Sequence, residues 1–223
     1  MRRMQKQVRL FAPPATAAVV ALMLFAPESA GTQRTATVAA EAGAAVTYQV
    51  AREGNTARYR IREQLVGFDL PNDAVGTTTQ LSGTIALDDA GAVVASASKL
   101  VINAASLTSD QARRDGYVRA RVLETSQYPN VEITIKAIHG VSGPLPSSGA
   151  RTLTLDADLT IRGQTRPTTW TANVTFADRV VSGTATTVFT FENFALPRPR
   201  VPIVLSVADS IRLEYDFRLE RTP

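Results

Sequence analysis

The stretch TLDADLTIRGQTRPTTWTANVTF, residues 154 to 176, decides the fold because it repeats one pattern on both sides of a glycine. Apolar residues fall on every second position before the glycine and again after it. This is the period of β-strands that bury one face. The apolar set, which begins one residue before the stretch, comprises Leu153, Leu155, Ala157, Leu159, Ile161, Trp170, Ala172, Val174 and Phe176. The stretch therefore predicts a β-hairpin.

Gly163 and Gln164 are the predicted loop of this hairpin, because glycine suits the first central position of a type II′ turn. The resulting partners are Ala157 with Trp170, Leu155 with Ala172, and Leu153 with Val174. This register sets apolar side chains opposite apolar side chains. A slip of one residue would turn one apolar set toward water.

Two carboxylates, Asp156 and Asp158, fall on the opposite, threonine-rich face of the hairpin. A catalytic acid/base pair would need one carboxyl in an apolar pocket that raises its pKa. Nothing in the sequence supplies such a pocket, so the pattern favours a solvated strand face.

Alternating apolar sets recur along the rest of the chain, and their polar outer faces are typical of antiparallel strands with one wet side. The sets are Ala57, Tyr59, Ile61 and Leu65; Leu81, Gly83, Ile85 and Leu87; Val131, Ile133, Ile135 and Ala137; Val181, Gly183, Ala185, Thr187, Phe189 and Phe191; and Ile211, Leu213, Tyr215, Phe217 and Leu219. No βαβ rhythm and no internal repeat is present in the sequence. We therefore expect an all-β, antiparallel fold.

The many small residues on the apolar face favour a β-barrel of about eight strands over a sandwich. A barrel lined partly by small side chains can keep room for an apolar ligand. The same small residues can instead accommodate barrel taper and close strand packing. Both interpretations remain open at this point.

Residues 106–129 break the strand period and predict one short helix crossing between strands. Thr108 followed by Gln111 is a capping-box pattern, and Tyr128-Pro129 marks the end of the segment. Four arginines follow the predicted cap: Arg113, Arg114, Arg119 and Arg121. They could line a positive mouth for an anionic head group, although a solvated helix face is the commoner meaning of such a run.

The N-terminus has the layout of an export signal. Residues 1–30 hold a basic start and an apolar run from Ala15 to Phe25, which predicts a signal peptide or an uncleaved anchor. Residues 31–45 lack periodicity and predict a flexible tether, so the folded domain is expected at 46–223. We expect an exported protein of the periplasm, cell envelope or extracellular space.

Charge and composition exclude several classes of function. The net charge of +4 resides in residues 1–40, which hold five basic residues and one acidic residue and leave 19 of each sign in 41–223. The domain therefore lacks a basic footprint for nucleic acid. No cysteine is present, and the single histidine, His139, lies in a predicted loop. With no serine elbow, metal cluster or buried acid/base pair, the sequence predicts a protein that is not an enzyme.

Two longer stretches carry a family resemblance. SLTSDQARRDGYVRARVLETSQYPNVEITI, residues 106–135, and LDADLTIRGQTRPTTWTANV, residues 155–174, resemble the YceI family in the order and spacing of their motifs. The resemblance covers about residues 46 to 220. It implies a lipocalin-like β-barrel that holds a long isoprenoid chain, such as an isoprenoid quinone or a polyprenyl phosphate. Residues 57–85 and 191–202 depart from the family pattern, and both could shape a mouth.

The resemblance implies a lipid-binding protein for carriage or storage, with the lipid as its only bound group and no separate cofactor. The alternative is a non-catalytic, stress-related envelope module with a packed barrel. Transient contact with a membrane and formation of a homodimer are two further interactions that the sequence leaves open. The predicted ligand-binding residues are Leu81, Ile133, Ile135, Leu155, Ala157, Leu159, Trp170, Ala172, Phe189, Phe191 and Arg114.

Overall fold

The computed structural model describes residues 46–67 and 69–222, and within them the chain forms ten β-strands. The strands are β1 (Val46–Val50), β2 (Thr56–Leu65), β3 (Asn72–Thr78), β4 (Leu81–Leu87), β5 (Lys99–Asn103), β6 (Asn130–His139), β7 (Ser148–Ile161), β8 (Gln164–Ala177), β9 (Val180–Thr190) and β10 (Val204–Arg221). The predicted export segment 1–30 and tether 31–45 lie outside the described residues.

Eight of these strands close into an antiparallel barrel, which confirms the predicted fold. Their order is β1-β4-β5-β6-β7-β8-β9-β10, and β10 pairs back onto β1. The 18 residues of β10 are long enough to pair with β1 near Leu219 and with β2 from Asp216 to Val204. Strand β2 thus continues the line of β1, and β3 adds to its outer edge.

The hairpin forms as predicted, but its loop and register differ from the prediction. The loop is Arg162-Gly163, both with positive φ (49° and 71°), which is type I′ geometry rather than type II′. Partners therefore shift by two: Leu155 faces Trp170, and Leu153 faces Ala172. A shift of two keeps every side chain on its predicted face.

Strand β6 contains a β-bulge that the sequence analysis missed. Pairing with β7 passes from Ile135–Ala157 to Ala137–Asp156, so the ladder slips by one residue at Lys136. Asp156 faces out, and Ala137 therefore faces out with it. The prediction of an inward Ala137 is wrong, and Ile138 packs against the core in its place.

The segment between β5 and β6 forms the predicted short helix, α1 (Ala112–Tyr117), followed by a π-helical turn at Val118–Val122. The predicted capping box is wrong. Thr108 forms an extended backbone pair with Thr77, and the N-cap residue, Gln111, makes no side-chain cap. None of the helices among the described residues has the length and apolarity needed to cross a membrane.

The barrel interior has two distinct ends. At the packed end, inward side chains from β7, β8, β9 and β10 are all at most 8% exposed. They are Leu153, Val174, Phe176, Val181, Phe217 and Leu219. At the other end, which we call the cavity end, α1 and the π-helical turn lie between β5 and β6 and contribute Val118 and Val122 to the interior.

Candidate functional site

A cavity of about 110 Å³ lies at the cavity end, and the surface that it exposes is entirely apolar. Its lining includes two half-buried residues that lie outside every strand and helix, Leu107 and Pro199, and we use the name cavity mouth for these two residues. Because no polar atom is exposed inside, the cavity suits a hydrocarbon and offers no polar group to orient a polar ligand.

Strands β2 and β10 build one wall of the cavity. Their antiparallel register sets Ala57 opposite Tyr215, Tyr59 opposite Leu213, and Ile61 opposite Ile211. All six residues line the cavity. The wall follows directly from the period-two pattern of both strands, since directly paired residues share a face.

Aromatic side chains from β8, β9 and the residues after β9 extend this wall, since β9 pairs with β10 and sets Phe189 beside Ile211. Trp170 is 3% exposed, and its indole Nε1 donates to Thr168 Oγ1 at 3.0 Å. Phe189 packs edge-to-face on Phe194, with ring centroids 4.7 Å apart. Phe191 completes the group. The indole N–H is satisfied away from the cavity, so the aromatic wall offers only carbon.

The hydroxyl of Tyr215 is held by a buried asparagine. It donates to Asn55 Oδ1 at 2.9 Å, and the same oxygen accepts from the backbone N–H of Arg218 at 3.0 Å. Burial raises the pKa of Tyr215 well above its ordinary value. The phenol is therefore neutral at physiological pH, and its polar atom is already paired.

Tyr59 is the second tyrosine of the cavity wall. Burial raises its pKa to about 12, against an opposing effect from the Arg114 guanidinium nearby. Tyr59 is consequently neutral over the physiological range. Neither tyrosine brings charge into the cavity.

Arg114, a predicted ligand residue, lies at the cavity end in an ion pair with Glu63 of β2. Its Nη2 is 2.7 Å from Glu63 Oε1, and its Nη1 pairs with Asp110. The side chains of Arg114 and Glu63 are only 15% and 8% exposed. Burial alone would lower the pKa of Arg114, but the two carboxylates raise it on balance. The guanidinium is thus engaged with protein carboxylates and fastens α1 to β2.

The other predicted ligand residues divide into two groups. Trp170, Phe189 and Phe191 line the cavity. The remaining residues lie in the core or against it, outside the cavity lining: Leu81, Ile133, Ile135, Leu155, Ala157, Leu159 and Ala172. A role for any of them in binding remains a prediction.

Sequence reasoning left the β2 and β10 wall, together with Val118, Val122 and Leu123 of the helical segment, out of the predicted site. The alternating pattern had already placed Ile61 and Leu213 on inward faces, so that signal was present. The pattern does not say which end of a barrel is filled.

Asp156 and Asp158 lie on the outer face of the hairpin, as predicted, and each has a side-chain partner on β6. Asp158 lies 3.2 Å from Lys136 Nζ, and Asp156 lies 2.7 Å from His139 Nε2. His139 is exposed, but it ends β6 and is not in a loop. Within residues 46–67 and 69–222, no group of three or more metal-ligating side chains is found.

Comparison with solved structures identifies the same architecture in three bacterial proteins. A polyisoprenoid binding domain from Saccharophagus degradans has a TM-score of 0.59 and 12% identity, and the match covers 81% of this chain and 100% of that one. BcnA from Burkholderia cenocepacia has a TM-score of 0.55 and 16% identity, with 78% and 99% covered. The YCEI protein of Campylobacter jejuni has a TM-score of 0.53 and 16% identity, with 72% and 94% covered. At these identities the likeness shows a shared fold.

Family assignment comes from the sequence itself. No match was found among curated proteins. The model of the YceI-like domain matches residues 48–219, which span every strand of the barrel. The chain therefore belongs to the YceI family.

Proposed function

We propose that this protein binds an isoprenoid lipid by taking part of its hydrocarbon chain into the cavity. The observation that carries the proposal is the wholly apolar surface that the cavity exposes between β2, β8, β9 and β10. Withdrawing hydrocarbon from water contributes about 25 cal/mol for each Å² buried, so such a cavity favours a long apolar chain without any polar contact. The fold shared with the polyisoprenoid binding domain of Saccharophagus degradans supports this choice of ligand.

The size of the cavity limits how much lipid it holds in this conformation. A dry cavity of ~150 Å³ takes a benzene molecule. The 110 Å³ found here thus corresponds to a short segment of a prenyl chain. A longer chain must extend through the mouth or displace the segment from α1 to Leu123. The backbone bonds of that segment are made within the segment itself: Asp115 N donates to Gln111 O, and Leu123 N donates to Val118 O.

The head group is expected to stay outside the cavity. Arg114 is neutralised by Glu63 and Asp110, and both wall tyrosines are uncharged at neutral pH. A phosphate or quinone ring would gain no charged partner inside. Binding should therefore depend on the prenyl chain more than on the head group, which suits a protein that carries or stores envelope lipids. The export signal predicted in residues 1–30 supports a location outside the cytoplasm.

Titration of delipidated protein with prenyl alcohols of increasing length tests the proposal. Trp170 is the only tryptophan in the chain and lines the cavity, so its fluorescence reports occupancy. We expect affinity to rise with chain length until the cavity is filled. Ala57→Phe should weaken binding because Ala57 lines the cavity, whereas Asp158→Asn on the outer face should leave it unchanged. Affinity that does not depend on chain length would contradict the proposal.

A further inference from the structure

Exposed apolar side chains gather at one place on the molecule, beyond the cavity end. Val66 and Leu70, in the connection from β2 to β3, are 50% and 77% exposed. Ile203 and Leu205, at the start of β10, are 57% and 65% exposed. We call these four residues the apolar tip. Among the described residues, the only other large apolar side chain with comparable exposure is Val188, on the outer wall of β9.

The two segments of the apolar tip are joined through the backbone. Val66 N donates to Ile203 O at 3.0 Å, and Leu65 pairs with Val204. Val66, Ile203 and Leu205 therefore lie on paired backbone at the edge of the sheet, and Leu70 follows in the connection to β3. An exposed apolar cluster on a paired sheet is a typical interaction surface.

The apolar tip extends from the two strands that build one wall of the cavity. Ile61 and Ile211 are paired in that wall, and the tip lies beyond them, with Val66 five residues after Ile61 and Leu205 six residues before Ile211. Pro199, at the cavity mouth, precedes Ile203 by four residues. A surface that covers the tip would thus approach the cavity end of the barrel.

Charge around this end favours an anionic partner. Four exposed arginines here have no acidic partner among the described residues, while only two exposed acids lack a basic partner. The arginines are Arg113, Arg121, Arg166 and Arg200, and the acids are Asp69 and Glu192. One end of the molecule that carries both exposed apolar side chains and arginines has the composition of surfaces that lie at a membrane interface.

We propose that the cavity end docks on an anionic lipid bilayer, with the apolar tip inserted among the lipid chains and the unpaired arginines against the phosphates. This inference rests on the proposed function in one respect: it assumes that a lipid enters the cavity through the cavity mouth. Docked in this way, the apolar cavity meets the apolar interior of the membrane. A prenyl chain can then pass between them without crossing water.

Site-specific labelling tests the docking directly, because the chain contains no cysteine. Leu70→Cys, Leu205→Cys and Val188→Cys are each prepared in the full chain and coupled to an environment-sensitive nitrobenzoxadiazole dye. The vesicles contain phosphatidylcholine and phosphatidylglycerol and no isoprenoid. We expect the dye fluorescence at Leu70 and Leu205 to rise several-fold and that at Val188 to stay constant. Because the dye reports its own position, contact made by residues 1–45 does not produce this pattern.

A second arm tests the charges. Combined Arg121→Glu and Arg200→Glu should weaken vesicle binding, read from the dye at Leu205, at least about tenfold, since each basic residue near such a surface contributes roughly a fivefold factor. Arg151→Glu is the matched control, because Arg151 is exposed on β7 at the packed end. A response confined to vesicles with phosphatidylglycerol and lowered by added salt is expected.

Several outcomes would overturn the docking proposal. They are no response at Leu70 and Leu205, an equal response at Val188, and a response without vesicles that grows with protein concentration. The last would assign the tip to a second copy of this chain. The vesicles hold no prenyl lipid, so this test is independent of the Trp170 titration. Failure of the titration alone would remove the proposed ligand and leave the docking result standing.

Discussion

The packed end and the cavity end of the barrel are built from the same strands with the same alternation, yet they differ in filling. At the packed end, large side chains such as Phe176 and Phe217 are buried in the core. At the cavity end, small residues such as Ala57 and Ala104 share the wall with aromatics, and space remains. The period of a strand thus determines which side chains point inward, while their volumes decide whether the interior is full.

The two ends also differ in what closes them. The cavity end is covered by a six-residue helix and a π-helical turn held by side chains: Arg114 binds Glu63, and Arg162 binds Glu124. A π-helical turn is rare in proteins and occurs frequently at functional sites. We therefore expect the cavity end to open at lower free energy than the packed end.

The largest expected effect is a difference between two phenylalanines that are both 3% exposed. Phe176→Ala should lower the free energy of unfolding by about 3–5 kcal/mol, because the packed end leaves a new cavity. Phe191→Ala should cost less, because its ring already borders open space. Urea denaturation of both variants measures the difference. Equal losses would mean that the two ends are equally packed.

Loss of the ion pair at the cavity end should have the next largest effect. Arg114→Met leaves the carboxylate of Glu63 buried without its partner, and we expect a loss of about 3 kcal/mol, the low end for such pairs. The double variant Glu63→Leu with Arg114→Met should recover most of this loss. Denaturant midpoints of the two variants test this. A double variant less stable than Arg114→Met would show that the Glu63–Arg114 pair stabilises the fold by more than the neutralisation of its two charges.

A smaller effect depends on pH and concerns Tyr59. The neutral phenol is favoured in the folded state, where its pKa is about 12 instead of 10.0. The stability that the neutral phenol contributes is fully present below pH 10 and is lost as the pH rises through 12. At pH 11 the loss is on the order of 1 kcal/mol. Tyr59→Phe should therefore reduce the alkaline decline in stability and leave stability at neutral pH nearly unchanged. Thermal melts of both proteins from pH 9 to 11 measure this, and parallel curves would contradict it.

Much of the barrel was predictable from local pattern, because alternation is a property of each strand alone. Inward positions such as Ile61 on β2 and Leu213 on β10 follow from period two, and the structure places both in the cavity wall. The hairpin register shifted by two residues, and this even shift left the predicted inward positions of β7 and β8 unchanged. The family resemblance added the barrel topology, which alternation does not contain.

The errors arose where contacts distant in sequence determine local geometry. Arg162 takes a positive φ in the hairpin loop, and its guanidinium binds Glu124 and the carbonyl of Ala195, 3.1 Å away. Nothing within the hairpin sequence announces those partners. The bulge at Lys136 likewise depends on pairing between β6 and β7. The position of the cavity depends on how side chains from seven strands and the π-helical turn fill one volume, which no single segment encodes.

The smallest expected effect on stability is also the sharpest test of the cavity. A Cβ at Gly76 of β3 would lie 2.2 Å from Cε1 of the Tyr59 ring, so Gly76→Ala requires the ring to move. The atoms in conflict are at the free end of the tyrosine side chain, and the open space beside that ring is the cavity. We therefore expect a stability loss of only about 1 kcal/mol, the low end for overpacking. Prenyl affinity should fall several-fold, because the displaced ring occupies part of the site.

Gly116→Ala is the matched control for that substitution. Gly116 lies in α1, and a Cβ there would meet nothing within 4 Å. Alanine favours a helix over glycine by about 1 kcal/mol, so this variant should be as stable as the parent protein or more so. Its prenyl affinity in the Trp170 fluorescence titration should match that of the parent. If Gly76→Ala binds prenyl chains as the parent does while remaining folded, Tyr59 does not border the binding site, and the ligand occupies another part of the barrel.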